Sequence, residues 1–134
     1  MKEVIKDYIT KKNGVNNMKY MLEDYPAAFL FAYGKYRKTT IERMNRFCEA
    51  TNLNAMCEFG TVSDDIKDVK QEFSKLIYSI DENGLGAFLV VESLDSILIG
   101  FKEMEQLYDL IERREIIVWC LDEHALLVNP EKAN

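Results

Sequence analysis

Three short, nearly unbroken apolar runs constrain the fold of this chain most: Ala27–Tyr33 (AAFLFAY), Ala87–Glu92 (AFLVVE) and Ile116–Leu121 (IIVWCL). Runs of this length without polar alternation are what strands show when helices cover both faces of their sheet. A weaker fourth run, Ala55–Phe59 (AMCEF), lies between the first two. Helical stripes fill the intervals. Thr39 with Glu42 predicts a capping box, and Ile41, Met44, Phe47 and Cys48 follow at helical spacing. Val69, Phe73, Leu76, Ile77 and Ile80 make a second stripe, closed by the turn residues Asp81-Glu82-Asn83-Gly84. Met104, Leu107, Tyr108 and Ile111 make a third, and Arg113 and Arg114 suit its C-terminal end electrostatically. This alternation predicts an α/β fold over residues 27–128: three layers, with a central, mostly parallel four-stranded sheet and helices on both faces.

At 134 residues one such core is the default. No apolar run approaches the ~20 residues of a membrane helix, and the N-terminus lacks a signal-peptide stretch, so a cytoplasmic protein with no membrane partner is expected. Residues 1–26 read as a short helical extension with Val4, Ile5, Tyr8 and Ile9 on one stripe, packed against the domain or a partner. Residues 129–134 read as a frayed tail. Residues 1–46 carry ten Lys/Arg against five Asp/Glu, and residues 47–134 carry seven against eighteen. An acidic whole disfavours non-specific nucleic-acid binding but leaves room for a local basic face.

That face is Lys35, Arg37, Lys38, Arg43 and Arg46, at the end of the first strand and the start of a helix. Strand ends and helix N-termini favour anions, so the cluster is a candidate anion or nucleic-acid site, with Tyr36 as a stacking surface. The alternative is a solvated helix face. Asp95 is either a site residue or a turn cap. Asp64 and Asp65 read as caps of the second helix, and His124 as a surface residue. Cys48, Cys57 and Cys120 read as core thiols, with no disulfide framework and no metal spacing. Ser63, Ser93 and Ser96 lack a visible paired base. Gly84-Leu85-Gly86 precedes a strand, whereas a phosphate loop would follow one. No cofactor or metal is expected.

The succession FLFAYGKYRKTT, MNRFCEATNL and FLVVESLDSILIGFKEMEQLYDLIERREIIVWCLDEH, within residues 27–124, resembles the catalytic domain of serine recombinases, the resolvase/invertase family. There the first strand runs into Tyr-Ala-Arg-Val-Ser, and the third ends in Leu-Asp-Arg with another Arg three residues on. The resemblance implies a resolvase-like fold. It also implies a chemistry in which a Ser hydroxyl attacks a DNA phosphodiester and arginines stabilise the growing charge. Laid onto this chain, the nucleophile position is Lys35 and the first Arg is Tyr33. Leu94-Asp95-Ser96 keeps the Asp and puts Ser96 for Arg, Ile99 stands for the next Arg, and Lys70 matches the family's loop Arg.

The expectation is therefore a catalytically inactive serine-recombinase-like domain. It would act through protein–protein contacts, with DNA contacts as a further candidate, in DNA recombination or its regulation. Its expected partner is a second copy of itself or an intact recombinase. The rival expectation is an enzyme with a relocated nucleophile, either a recombinase or a phosphate-handling α/β protein. The family's recombinases carry a separate DNA-binding domain and a long dimerisation helix after the catalytic unit. If the chain is complete, sequence-specific DNA recognition would come from a partner.

Overall fold

The computed structural model describes residues 27–84, 86–99 and 101–127. The expected extension over 1–26 and the tail over 129–134 lie outside these residues. The elements run β1 (Ala27–Phe31), α1 (Arg37–Thr51), β2 (Asn54–Phe59), α2 (Ile66–Asn83), β3 (Phe88–Val91), α3 (Leu94–Leu98), α4 (Met104–Arg114), β4 (Ile117–Cys120) and β5 (Ala125–Leu126). The sheet order is β2-β1-β3-β4-β5. The first four strands are parallel, and β5 pairs antiparallel to β4. The predicted α/β architecture is present, with one correction: the sheet has five strands where four were expected. Residues 121–124 turn the chain, with His124 at φ 52°, so that Leu126 returns beside Trp119. A two-residue strand leaves no periodicity to read.

Side chains of the strands alternate between two apolar layers, as the pleat requires. Phe29, Phe31, Leu89, Val91 and Val118 pack with Val69, Leu76 and Ile80 of α2, Leu94 and Ile97 of α3, and Leu107 of α4. Leu30, Phe88, Val90 and Trp119 pack on the other face with Ile41, Met44 and Cys48 of α1. Coverage on both sides is why β1, β3 and β4 read as unbroken apolar runs. Burying each large side chain of this kind stabilises the fold by about 1.5–3 kcal/mol. The Phe47 ring of α1 stacks on Trp119, with centroids 5.2 Å apart.

Strand β2 sits at the edge, and Asn54, Ala55, Met56 and Glu58 are exposed. This explains its weaker pattern and corrects the reading of Cys57, which is only half-buried while Cys48 and Cys120 are buried. Helix starts follow local chemistry. Asp65 caps α2, its carboxylate accepting from Lys67 N–H at 2.9 Å. The expected Thr39–Glu42 box does not form. Gly34, at φ 97°, makes a turn closed by Arg37 N–H donating to its carbonyl, so α1 begins two residues before Thr39. A box that the sequence reading did not anticipate, Ser93 with Ser96, opens α3 instead. Arg113 and Arg114 do occupy the last turn of α4, where Arg114 also pairs with Asp81 at 2.8 Å. No helix among the described residues is long and apolar enough to cross a membrane.

Candidate functional site at the strand ends

Parallel strands bring their carboxyl ends to one edge of the sheet, so the exits of β1, β3 and β4 converge there. The β1 exit is held against β2 by Ala32 N–H on the Phe59 carbonyl and Gly34 N–H on the Thr61 carbonyl. Gly60, at φ 131°, lets the two backbones approach: a Cβ there would lie 1.7 Å from the Ala32 carbonyl oxygen. This contact sets the direction in which Tyr33, Lys35 and Tyr36 leave the sheet.

Tyr33 turns inward, and its hydroxyl donates to the Ser96 carbonyl at 2.8 Å. Burial, followed by the negative charges of Glu92 and Asp95, pushes that hydroxyl's pKa above its ordinary value. Ser96 is equally committed. Its hydroxyl donates to the Ser93 carbonyl at 2.7 Å and accepts from Ser93 N–H at 3.1 Å. The structure thus brings Tyr33, Asp95 and Ser96 to one strand-end site. Lys35 points elsewhere, with its ammonium 5.0 Å from the centre of the Tyr36 ring.

The strand ends add carboxylates that the sequence reading did not select. Glu92 accepts from the buried Thr40 hydroxyl at 3.2 Å. The Arg43 guanidinium reaches Asp122 at 2.9 Å and Glu92 at 3.8 Å. Glu123 accepts from Leu94 N–H at 3.1 Å through its closer oxygen. With Asp95, four carboxylates therefore gather at the exits of β3 and β4. The signal was legible in principle, because both AFLVVE and IIVWCLDE leave an apolar run on acidic residues. Among the described residues no group of three His, Cys, Asp or Glu side chains is arranged to hold a metal ion.

The basic cluster is divided by this geometry. Arg43 faces the carboxylates, and Arg37 donates through Nε to the Ala32 carbonyl at 3.2 Å. Lys35, Lys38 and Arg46 are exposed. Lys70 and Ile99 meet at a different place, a groove of about 400 Å³ between α2 and the α3–α4 segment. Phe31, Phe73, Ile77, Ile97 and Phe101 give it apolar walls, and Ser74 stands beside Lys70 on α2. The sequence reading missed this groove because Phe73 and Ile77 read as ordinary core positions of an amphipathic helix.

Scans against protein-family models and against curated proteins give no match. Among solved structures, the fold is similar to the crystal structure of a resolvase family site-specific recombinase from Streptococcus pneumoniae. The TM-score is 0.60 at 12% sequence identity, covering 79% of this chain and 76% of that one. At that identity the likeness carries the architecture and not the chemistry: the described chain has a resolvase-like α/β fold.

Proposed function

We propose that this chain is a serine-recombinase-like domain that has lost strand cleavage and acts by binding another protein, in DNA recombination or its regulation. The observation that supports the reading best is the character of the strand-end site. Cleavage by a Ser nucleophile needs a free hydroxyl and preorganised positive charge around the scissile phosphate. Here Tyr33 and Ser96 spend their hydroxyls on backbone carbonyls. Arg43 is drawn between Glu92 and Asp122. A phosphodiester entering this site would meet carboxylates where its charge requires cations. Removing one such contact commonly lowers a rate by ~10²–10³, and here the deficit spans the site.

The partner we favour is an intact serine recombinase, with a second copy of this chain as the other candidate, and the exposed Lys35, Lys38 and Arg46 offer a subsidiary contact to DNA. The test has two arms. In covalent trapping on supercoiled DNA with excess protein, no protein–DNA adduct is expected; an adduct abolished by mutating one Ser would overturn the loss of cleavage. In co-purification with an intact recombinase, and in sedimentation of the chain alone, a nuclease-resistant complex or dimer is expected. A chain that is monomeric and binds neither would overturn the protein-contact reading.

A further inference from the structure

We infer that the groove between α2 and the α3–α4 segment is a binding site for a small amphipathic carboxylate. The apolar body would lie against Phe73 and Phe101, and the anionic head on Lys70 and Ser74. The inference does not rest on the proposed function, because it needs only the groove.

Its construction starts with the periodicity of α2. Val69, Leu76 and Ile80 point into the core and are buried. Lys70, Phe73, Ser74 and Ile77 fall at i, i+3, i+4 and i+7, the spacing of one helix face, and all four line the groove. That face carries its polar groups at 70 and 74 and its apolar groups at 73 and 77, so one ligand can touch both kinds. Opposite it stand Ile97 and Phe101, and Phe31 of β1 also lines the groove. The three aromatic rings make a chain of edge contacts, with Phe73 5.4 Å from Phe31 and 5.6 Å from Phe101. Phe31 is 1% exposed and closes the groove behind the other two, so an apolar body would lie against the half-buried Phe73 and Phe101.

Charge selects the head group. Lys70 is the one charged residue in the lining, no carboxylate accompanies it there, and no ion pair to it is observed among the described residues. A carboxylate would supply that missing partner and accept a second hydrogen bond from the Ser74 hydroxyl. Size selects a small molecule over a protein. About 400 Å³ lies within the ~300–1,000 Å³ of typical ligand sites. A protein partner needs roughly 800 Å² on each side, far more than so few lining residues present.

Decanoate and decanol, both below their aggregation limits, are the probes, titrated into the full chain and read by amide chemical shifts of α2 and Phe101. Trp119 packs on the opposite face of the sheet, so its fluorescence is not the readout. Saturable decanoate binding is expected, with decanol weaker by roughly fivefold, the scale of one exposed charge contact. Lys70→Glu should remove the preference for decanoate. Ser74→Trp, at an exposed helix position, should fill the groove and abolish binding of both probes while the far-UV spectrum stays unchanged. No saturable binding, equal affinity for the two probes, or a preference that survives Lys70→Glu would each overturn the inference. So would binding that survives Ser74→Trp.

Discussion

The Tyr33 hydroxyl donates to the Ser96 carbonyl across 2.8 Å, tying the exit of β1 to the first turn of α3. The two residues are 63 positions apart in sequence, and only the parallel pairing of β1 with β3 makes them neighbours. The bond commits the Tyr33 hydroxyl to the backbone, beside the negative charges of Glu92 and Asp95.

Tyr33→Phe keeps the ring against Phe31 and removes only the donor, leaving the partly buried Ser96 carbonyl short of one partner. A loss of about 1 kcal/mol is expected in urea melts, with unchanged cooperativity. A neutral result would mean that water replaces the bond without cost.

Two glycines separate conformational strain from steric exclusion. Both Gly34 and Gly60 have positive φ, but an added Cβ at Gly34 meets nothing within 4 Å. Gly34→Ala should cost only the left-handed backbone penalty, about 1–2 kcal/mol. Gly60→Ala drives a methyl into the Ala32 carbonyl as well, so about 3 kcal/mol or more is expected, together with disturbed pairing between β1 and β2. Equal losses at the two positions would contradict the close backbone approach at Gly60.

Core assignments drawn from the apolar runs give the next contrast. Phe88 is fully buried and Met56 is 48% exposed, although both lie in strands. Phe88→Ala should cost roughly 3–5 kcal/mol. Met56→Ala should stay within about 0.5 kcal/mol of the parent.

That contrast also marks what the sequence can carry. A buried strand announces itself because each of its residues must be apolar, so β1, β3 and β4 were readable to within about two residues at each end. An edge strand has to satisfy one face only, which left β2 ambiguous and Cys57 misjudged as core. The site was harder. Its residues come from three strand exits, and their pairing depends on tertiary distances that no local pattern encodes. Arg43 reads as part of a basic cluster in sequence, yet in space its nearest charged neighbours are Asp122 and Glu92. The groove is similarly invisible, because nothing in the stripe of α2 says which of its apolar residues will be left half-covered.

Alkaline pH should weaken the fold through Cys48. Burial against the sheet pushes its thiol from the ordinary 9.0 up to about 11. The folded state then keeps a proton that the unfolded chain gives up first. Its contribution is complete below about pH 9 and is lost as pH rises towards 11, on the order of 2 kcal/mol in all. Tyr108, pushed by burial to about 12, extends the decline above pH 10. Urea midpoints measured between pH 8 and 11 should therefore fall for the parent. Cys48→Ala, less stable at pH 8 for its lost packing, should fall less steeply over the same interval. Thiol labelling at pH 8 supplies an independent check. The half-buried Cys57 should react first, with Cys48 and Cys120 protected until the chain unfolds. Identical pH slopes for parent and variant, or simultaneous labelling of all three thiols, would show that α1 does not seal Cys48 from solvent.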